Sequence, residues 1–335
     1  MVDLWRNKMN LEQIGNTPMI SFTGCVPNNN RIWLKLECEN PFGSHYDRVY
    51  LRLFKEFEEL GKIRPGATVF ETTSGSAGVS FAGIGTQLGY KCLVAIPAGG
   101  EKARERAIED AGGELIFTPA EEYIRGFPRF AARFLAKNRD IVFLNHSMGQ
   151  NGSENRAAIE AIQEIGKEIL TQLPCVDQVV LAIGNGSSVL GIARELSHRT
   201  KIITFESLQS GTAYESLYPG KYEELYGIKP GSLPRHRLPG TSYNGINFPH
   251  IRIAFQEERL VDQTVLVSDH QTDDEYLSLT GRNVPLSMAR WDTVESAEYG
   301  RTTRAGIAVA LKLAEQTKNE NIVLLAYDKA NRYDS

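Results

Sequence analysis

The chain has 335 residues, which is long for one compact core and favours about two domains. Hydrophobic residues make up 41% and charged residues 23%, the composition of a globular protein rather than a disordered or fibrous one. The formal net charge of −4, with Lys and Arg spread along the chain, gives no footprint for nucleic acid or an anionic membrane. Small molecules are therefore the expected partners.

Four scattered cysteines, Cys25, Cys38, Cys92 and Cys175, form no CxxC pair and have no histidine at metal-ligand spacing, so we predict no metal site. They are expected to be reduced core residues. The N-terminal segment lacks a basic region followed by an apolar run, and no stretch approaches the ~20 apolar residues of a membrane span. We expect a cytoplasmic protein with no membrane partner.

Helices and strands alternate along the chain from residue 50. "VYLRLFKEFEELGKI" is a predicted helix that stops at Gly61, and "PGATVFETT" is a predicted strand. "GSAGVSFAGIGTQLGY", "KCLVAIP", "GEKARERAIEDAGG" and "ELIFTP" continue the alternation. After residue 150 it resumes with "NRAAIEAIQEIGKEILTQL", "DQVVLAIG", "SSVLGIARELSH" and "KIITFES", and it closes with "RAGIAVALKLAEQ" and "NIVLLAY". Consecutive βα units predict an α/β fold with parallel sheets covered by helices.

Between about residue 209 and residue 250 the periodicity fades into a stretch rich in Gly, Pro and Tyr. A structureless connection of this length is uncommon in a compact domain. Two interpretations stay open, a loop with a binding or interface role and an ordinary surface excursion.

Three short Gly/Ser/Thr segments each lie between a predicted strand and a predicted helix, where open α/β sheets bind ligands. The first is "ETTSGSAG", residues 71–78, in which backbone N–H groups and the hydroxyls of Thr73, Ser74 and Ser76 can converge on an anion. A carboxylate is the favoured ligand. A helix cap with glycines for close packing explains the same residues equally well.

The second segment is "GNGSSVLG", residues 184–191. The N–H groups from Gly186 to Ser188 and both serine hydroxyls can surround a phosphate at the start of a helix. A nucleotide P-loop is not indicated, because its lysine is missing.

The third segment is "EYGRTTRAGIAVALKL", residues 298–313, with Thr302 and Thr303 just before a predicted helix. The two threonines either cap that helix or present a hydroxyl to a heteroaromatic nitrogen.

Six motifs in order resemble the cysteine synthase and cystathionine β-synthase family, the β-replacement branch of fold type II pyridoxal phosphate enzymes. "IGNTPMISF" is similar to the opening of the family, "WLKLECENPFGSHYDR" to KLE-x-x-NP-x-GS-x-KDR, and "ETTSGSAG" to E-P-T-S-G-N-T-G. "GNGSS" resembles the phosphate cup, "YGRTTRAGIAVALKLA" the G-I-S-S-G-A helix, and "YDKANRY" the P-D-S-G-E-R-Y ending. The resemblance runs nearly end to end.

The resemblance implies an α/β protein of two domains, each with a mostly parallel open sheet covered by helices. A smaller, mobile N-terminal domain would span residues 40–150, and a larger cofactor domain residues 12–39 and 151–335. It also implies a homodimer with the cofactor between the domains of each subunit.

Carried over residue by residue, the resemblance assigns two groups of ligand-binding residues. Pyridoxal phosphate would be bound by Gly184, Asn185, Gly186, Ser187, Ser188, Thr302 and Ser76, with Thr302 near the pyridine nitrogen. The amino-acid substrate would be bound by Thr73, Ser74, Gly75 and Ala77.

Tyr46 stands where the family carries the lysine that forms the Schiff base and moves the α proton. A phenol cannot form an imine, and a tyrosine with a pKa of ~10 is a poor base. Lys35 matches a second, non-catalytic lysine of the family, and Lys55 and Lys62 fall on or after the following helix, so we identify no replacement. Tyr46 and Ser76 are the candidate catalytic residues.

Three further departures accompany Tyr46. Ser76 matches a family asparagine, Ala77 the neighbouring threonine, and Ser187 a glycine of the phosphate cup. The combination favours a divergent natural homologue over a single laboratory substitution.

The neighbours of Tyr46 have predicted roles as well. His45 would be a candidate base if it faced the site, but strand alternation directs it away from Tyr46. Asp47 and Arg48 follow the family pattern and are expected to position the loop by hydrogen bonds.

The predicted function is β-replacement or β-elimination on a serine- or cysteine-derived amino acid by a cysteine-synthase-like enzyme without the usual lysine. Pyridoxal phosphate would bind noncovalently or as a preformed external aldimine. Two alternatives stay open: a cofactor-free enzyme that uses the cleft for another anionic ligand, and an inactive homologue that serves as a sensor or a partner subunit.

Overall fold

The structure is a computed structural model that describes residues 11–234, 237–238, 241 and 248–334. Its strands are β1 (Met19–Ser21), β2 (Arg31–Lys35), β3 (Thr68–Thr72), β4 (Lys91–Pro97), β5 (Gly113–Thr118), β6 (Val142–Phe143), β7 (Gln178–Ala182), β8 (Lys201–Ser207), β9 (Gln263–Ser268), β10 (Ala289–Arg290) and β11 (Asn321–Leu325). Its α-helices are α1 (Tyr46–Glu59), α2 (Ser76–Gln87), α3 (Lys102–Asp110), α4 (Phe127–Lys137), α5 (Arg156–Gln172), α6 (Ser187–Leu196), α7 (Thr212–Leu217), α8 (Lys221–Tyr226), α9 (Pro249–Arg252), α10 (His270–Thr280) and α11 (Arg301–Gln316).

The strands form two open sheets. The larger has the order β1-β2-β11-β7-β8-β9-β10 and is parallel except for the antiparallel pair of β1 and β2. The smaller has the order β5-β4-β3-β6 and is entirely parallel. Every residue of β7 is buried, as expected for a central parallel strand covered by helices on both faces. The predicted α/β fold class is confirmed.

The chain contributes to the larger sheet first, then to the smaller sheet, and then to the larger sheet again. The smaller sheet takes its strands from between residues 68 and 143, and the larger sheet takes its strands from before and after that block. The domain limits and the mobility of the smaller domain stay predictions.

Small residues allow helix α2 to pack closely between neighbouring side chains. A Cβ atom added to Gly83 would lie 2.2 Å from the Phe42 ring, and one added to Gly85 would lie 2.4 Å from the sulfur of Cys92. The glycine-rich sequence of this helix therefore reflects packing, because larger side chains would push the helix away from its neighbours.

The stretch from 209 to 250 is not structureless, which corrects the sequence prediction. It contains α7 and α8, and Tyr222 and Tyr226 pack with Leu208 and Tyr276 in a separate buried cluster. Tyr222 and Tyr226 thus belong to a core, which the faded periodicity concealed. The part of this stretch at 235–236, 239–240 and 242–247 lies outside the described residues, so its predicted binding role is untested.

The C-terminal segment crosses from the larger sheet to the elements around the smaller one. The carboxylate of Asp334 accepts hydrogen bonds from the backbone N–H groups of Lys102 and Ala103 at 2.6 and 2.9 Å, where α3 begins. Arg332 donates to the carbonyl of Phe42 at 2.7 Å. Among the helices that the structure describes, none combines the length and apolar character needed to cross a bilayer.

A buried ionic network fixes the start of α1. Arg48 binds Glu37 through Nε and Nη2 at 2.8 and 2.9 Å, and Glu168 through Nη1 and Nη2 at 2.6 and 2.8 Å. Lys35 also binds Glu168 at 2.6 Å, and Thr17 donates to Glu37 at 2.6 Å. These contacts tie α1 to β2 and α5. Arg48 thus anchors α1 through contacts with distant residues, whereas the sequence analysis expected it to position the loop by hydrogen bonds.

We predict that Arg48→Met destabilises the fold by about 3 to 5 kcal/mol, because it leaves two largely buried carboxylates without their main partner. Equilibrium unfolding in denaturant measures the change. The matched control is Arg52→Met, which removes an exposed contact with Glu160 at 2.8 Å and should cost less than about 1 kcal/mol. Equal costs for the two variants would show that the network does not hold α1.

Candidate active site

A cavity of about 150 Å³ lies where both sheets contribute the ends of parallel strands. Its walls include residues that close or directly follow β3, β6, β7 and β11, such as Thr73, Asn145, Gly184 and Tyr327. This is the position at which open α/β sheets bind ligands.

The start of α6 forms one wall of the cavity. Gly184, Asn185, Gly186 and Ser188 line it. Gly186 adopts a positive φ of 87°, and a Cβ atom there would lie 2.7 Å from the backbone N of Ile251, so only glycine suits this turn. The wall brings together four of the five residues predicted for the phosphate cup, at a helix N-terminus that favours an anion.

Ser187, the fifth predicted cup residue, does not line the cavity. Its backbone N–H and its hydroxyl both donate to Oδ1 of Asn185, at 2.9 and 2.8 Å. Two potential donors to an anion are therefore taken by a side chain of the same loop.

His45 faces the cavity, which corrects the prediction from strand alternation. The prediction failed because His45 has helical backbone angles at the start of α1 and does not belong to a strand. Its Nε2 lies 3.2 Å from the hydroxyl of Ser188, and its buried Nδ1 has no hydrogen-bond partner among the described residues. Burial lowers the pKa of His45 to about 4, so the ring is neutral at pH 7.

Tyr46 also lines the cavity, as its predicted role requires. Its ring lies 4.1 Å from the ring of His45 and meets His146 edge to face at 5.3 Å, centroid to centroid. Burial is the main cause that raises the pKa of Tyr46 to about 12, and the nearby negative charge of Glu71 is the second cause. The hydroxyl therefore remains protonated at neutral pH and can donate a hydrogen bond.

Ser76 lies beside a polar group that the sequence analysis did not assign to the site. Its hydroxyl donates to Asp328 at 2.8 Å, and the hydroxyl of Tyr333 donates to the same carboxylate at 3.1 Å. The guanidinium of buried Arg104 lies 3.7 Å from Asp328 and over the ring of Tyr333. Asp328 and Tyr333 belong to the "YDKANRY" motif, whereas nothing in the sequence of α3 distinguished Arg104.

The predicted substrate loop reaches the cavity in part. Thr73, Ser74 and Ala77 line it, whereas Gly75 does not. A Cβ atom added to Gly75 would lie 2.4 Å from Cδ of Arg104, so this glycine leaves the space that the arginine occupies.

Thr302 lines the cavity from the first turn of α11, where Thr303 follows it. Neither threonine precedes the helix, which corrects the predicted boundary and the capping interpretation. Thr303 instead accepts a hydrogen bond from the backbone N–H of Tyr327 at 3.0 Å.

No lysine in the described part of the chain lines the cavity. Lys35 is buried and bound to Glu168, and Lys55 is exposed beside Glu59. The cavity contains no described primary amine that could attack an aldehyde.

Comparison with known proteins identifies the family. The family described as "Pyridoxal-phosphate dependent enzyme" matches residues 11–328. The chain belongs to this family. Its fold is that of the fold type II enzymes, and pyridoxal phosphate is the cofactor that membership implies.

The chain is similar to several cysteine synthases. It is 27% identical to cysteine synthase B of Escherichia coli over 331 residues, which cover 96% of this chain and 93% of the relative. It is 30% identical to a cysteine synthase of a Flavobacterium species over 201 residues, only 58% of this chain and 64% of that relative. A lysine-to-alanine variant of O-ureido-L-serine synthase, bound to O-ureido-L-serine, shares the fold with a TM-score of 0.76 and 21% identity, covering 98% of this chain and 91% of that one.

The residues of this chain fit part of pyridoxal phosphate. The N-terminus of α6 and the hydroxyl of Ser188 suit a phosphate, and Thr302 supplies a hydroxyl from the facing helix. Covalent attachment does not fit, because no lysine among the residues that the structure describes lines the cavity. The volume of about 150 Å³ matches roughly one aromatic ring, so a ring with a phosphate arm needs more space than the cavity has in this structure.

We predict that His45 makes the protein less stable in acid. Folding favours the neutral ring of His45, because burial penalises its charged form. The free energy of unfolding is therefore highest above pH 6.5 and falls as the pH drops from 6.5 towards about 4. Glu37 opposes this shift, whereas His146 and Arg48 reinforce it. Between pH 7 and pH 5 the wild type should lose roughly 2 kcal/mol more unfolding free energy than His45→Gln.

Chemical unfolding at each pH measures this difference, and exposed His198→Gln is the matched control, expected to keep the wild-type pH dependence. Parallel pH profiles for the wild type and His45→Gln would contradict the assignment of a buried neutral ring.

Proposed function

We propose that the protein acts on a serine- or cysteine-derived amino acid by β-elimination or β-replacement, with pyridoxal phosphate bound without a covalent link. One observation carries this proposal: a single cavity is lined by the helix N-terminus at Gly186, by Thr302, and by the loop at Thr73 and Ser74. These are the anion-binding and hydroxyl groups that such a cofactor and an amino-acid carboxylate require.

When bound, pyridoxal phosphate would withdraw electrons from the α carbon of an amino acid and make its α proton acidic, so that loss of this proton could expel a leaving group from the β carbon. In this proposal Ser188 and the start of α6 hold the phosphate, and Thr302 faces the ring. Thr73 and Ser74 hold the carboxylate of the substrate.

Tyr46 holds its proton at neutral pH, since its pKa is raised to about 12 by burial. It is therefore suited to donate a hydrogen bond to a leaving group rather than to accept the α proton. Turnover is expected to be slow, because the loss of a well-placed general base commonly costs ~10²- to 10⁴-fold in rate.

The absence of a lysine from the cavity is compatible with binding of an amino acid. The lysine-to-alanine variant of O-ureido-L-serine synthase was crystallised with O-ureido-L-serine bound, which supports ligand binding in this fold after loss of a lysine.

A second candidate function is a cofactor-free or inactive homologue that binds another anionic ligand in the cleft. Hydrogen bonds within the cup favour this candidate. His45 contacts the hydroxyl of Ser188, and the backbone N–H and hydroxyl of Ser187 both donate to Asn185. In such a homologue these groups would be satisfied by each other, without the phosphate of a cofactor.

The two candidates differ in what the purified protein binds. After incubation with pyridoxal phosphate, absorbance spectroscopy and native mass spectrometry should show one bound cofactor per chain. Borohydride should not attach this cofactor covalently to the protein, and denaturation should release it. Ser188→Ala should weaken this binding by about tenfold, because it removes a hydroxyl donor to the phosphate. A protein that remains colourless at millimolar cofactor would favour the second candidate.

We further predict that Tyr46→Lys creates a covalent link to the cofactor that borohydride reduces, provided that the rest of the pocket holds the ring. Intact mass spectrometry after reduction measures the added mass, and Tyr46→Phe is the control that alters the same side chain without adding an amine. An unmodified Tyr46→Lys protein that still binds the cofactor would show that position 46 does not face the aldehyde.

The homodimer, the mobility of the smaller domain and the cytoplasmic location remain proposals based on the resemblance. In a symmetric homodimer, each subunit would contain an equivalent copy of the first cavity.

A further inference from the structure

A second cavity adjoins the first. It has a volume of about 380 Å³ and shares Ser74 and Arg104 with the first cavity. The end of β4, the turn before α3, Tyr123 and Arg301 complete its walls. Its volume lies within the range of small-molecule sites, about 300 to 1,000 Å³.

Charged groups of both signs line this second cavity: Arg104, Arg237, Arg301, Glu101 and Glu105. Such a lining suits a small polar molecule better than an apolar one. A zwitterion matches it in both signs of charge.

Arg237 and Arg301 retain donors for a ligand. Each guanidinium has five N–H donors. Arg237 donates from Nε and Nη2 to Asp269, and Arg301 donates from Nη1 to Glu101 and from Nη2 to the carbonyl of Asp334. The remaining donors have no acceptor within the described chain, and a planar guanidinium matches a carboxylate.

Glu105 supplies the complementary group. It is a buried residue, and its Oε2 accepts a hydrogen bond from Lys102 at 2.6 Å. Its buried Oε1 has no hydrogen-bond partner among the residues that the structure describes. A buried carboxylate oxygen without a donor is costly, and a ligand ammonium would satisfy it.

We propose that the second cavity is a binding site for a small zwitterion of the α-amino acid class. Its carboxylate is held by Arg301 and Arg237, and its ammonium by Glu105. The shared wall at Ser74 and Arg104 places this molecule next to the ligand of the first cavity. The inference rests on the second cavity alone, so it stands whether or not the proposed function is correct.

Equilibrium dialysis of the full chain with labelled L-serine tests the site. We expect a site that Glu105→Gln and Arg301→Met each weaken at least tenfold, because each removes one of the two charges that the zwitterion needs. Glu109→Gln, an exposed change on the same helix, is the matched control and should bind as the wild type does. Ser188→Ala should not affect this site, whereas it weakens phosphate-bearing ligands of the first cavity.

Competition distinguishes a zwitterion site from a simple anion site without relying on variants. Acetate, which lacks the ammonium, and ethanolamine, which lacks the carboxylate, should each displace L-serine at least tenfold less well than unlabelled L-serine. Acetate competing as well as L-serine would overturn the proposal. Unchanged L-serine binding in both Glu105→Gln and Arg301→Met would also overturn it.

Discussion

The bidentate contacts of Arg48 with Glu37 and Glu168 determine where the first helix begins, and the site depends on that position. The helix starts at Tyr46, so the network holds Tyr46 and its neighbour His45 at the cavity. Burial acts to raise the pKa of Glu168, but hydrogen bonds from Arg48 and Lys35 outweigh it and hold the pKa at about 2. The carboxylate therefore stays charged at physiological pH and continues to hold Arg48 in place.

Two aromatic rings, those of His45 and Tyr46, line the first cavity at the start of α1. The rings of His45 and Tyr46 are in contact at an interplanar angle of 36°, and Nε2 of His45 lies within hydrogen-bonding distance of the hydroxyl of Ser188 in the cup. Because a superfold hosts many functions, the nature of these rings says more about this protein than its fold does.

Periodicity and turn residues predicted the α/β class and most long elements, because buried parallel strands such as β7 and amphipathic helices such as α5 carry strong local signals. The resemblance placed most of the candidate site residues at the first cavity. Local patterns could not predict the inward orientation of His45, because it depends on where α1 starts. Arg104 was also missed, since its burial depends on the space left by Gly75 on another element. Such contacts between distant residues leave no periodic signal.

The C-terminal crossing described above has a mechanical consequence. Asp334 accepts hydrogen bonds from the first backbone amides of α3, while the guanidinium groups of Arg104 and Arg301 lie over the ring of Tyr333, at 4.5 and 5.0 Å from its centroid. Tyr333 and Asp334 thereby connect α3, which packs on the smaller sheet, with α11, which packs on the larger sheet. A motion that moved α3 away from the C-terminal segment would break the contacts of Tyr333 and Asp334, so the position of this segment is linked to the wall that Arg104 gives to both cavities.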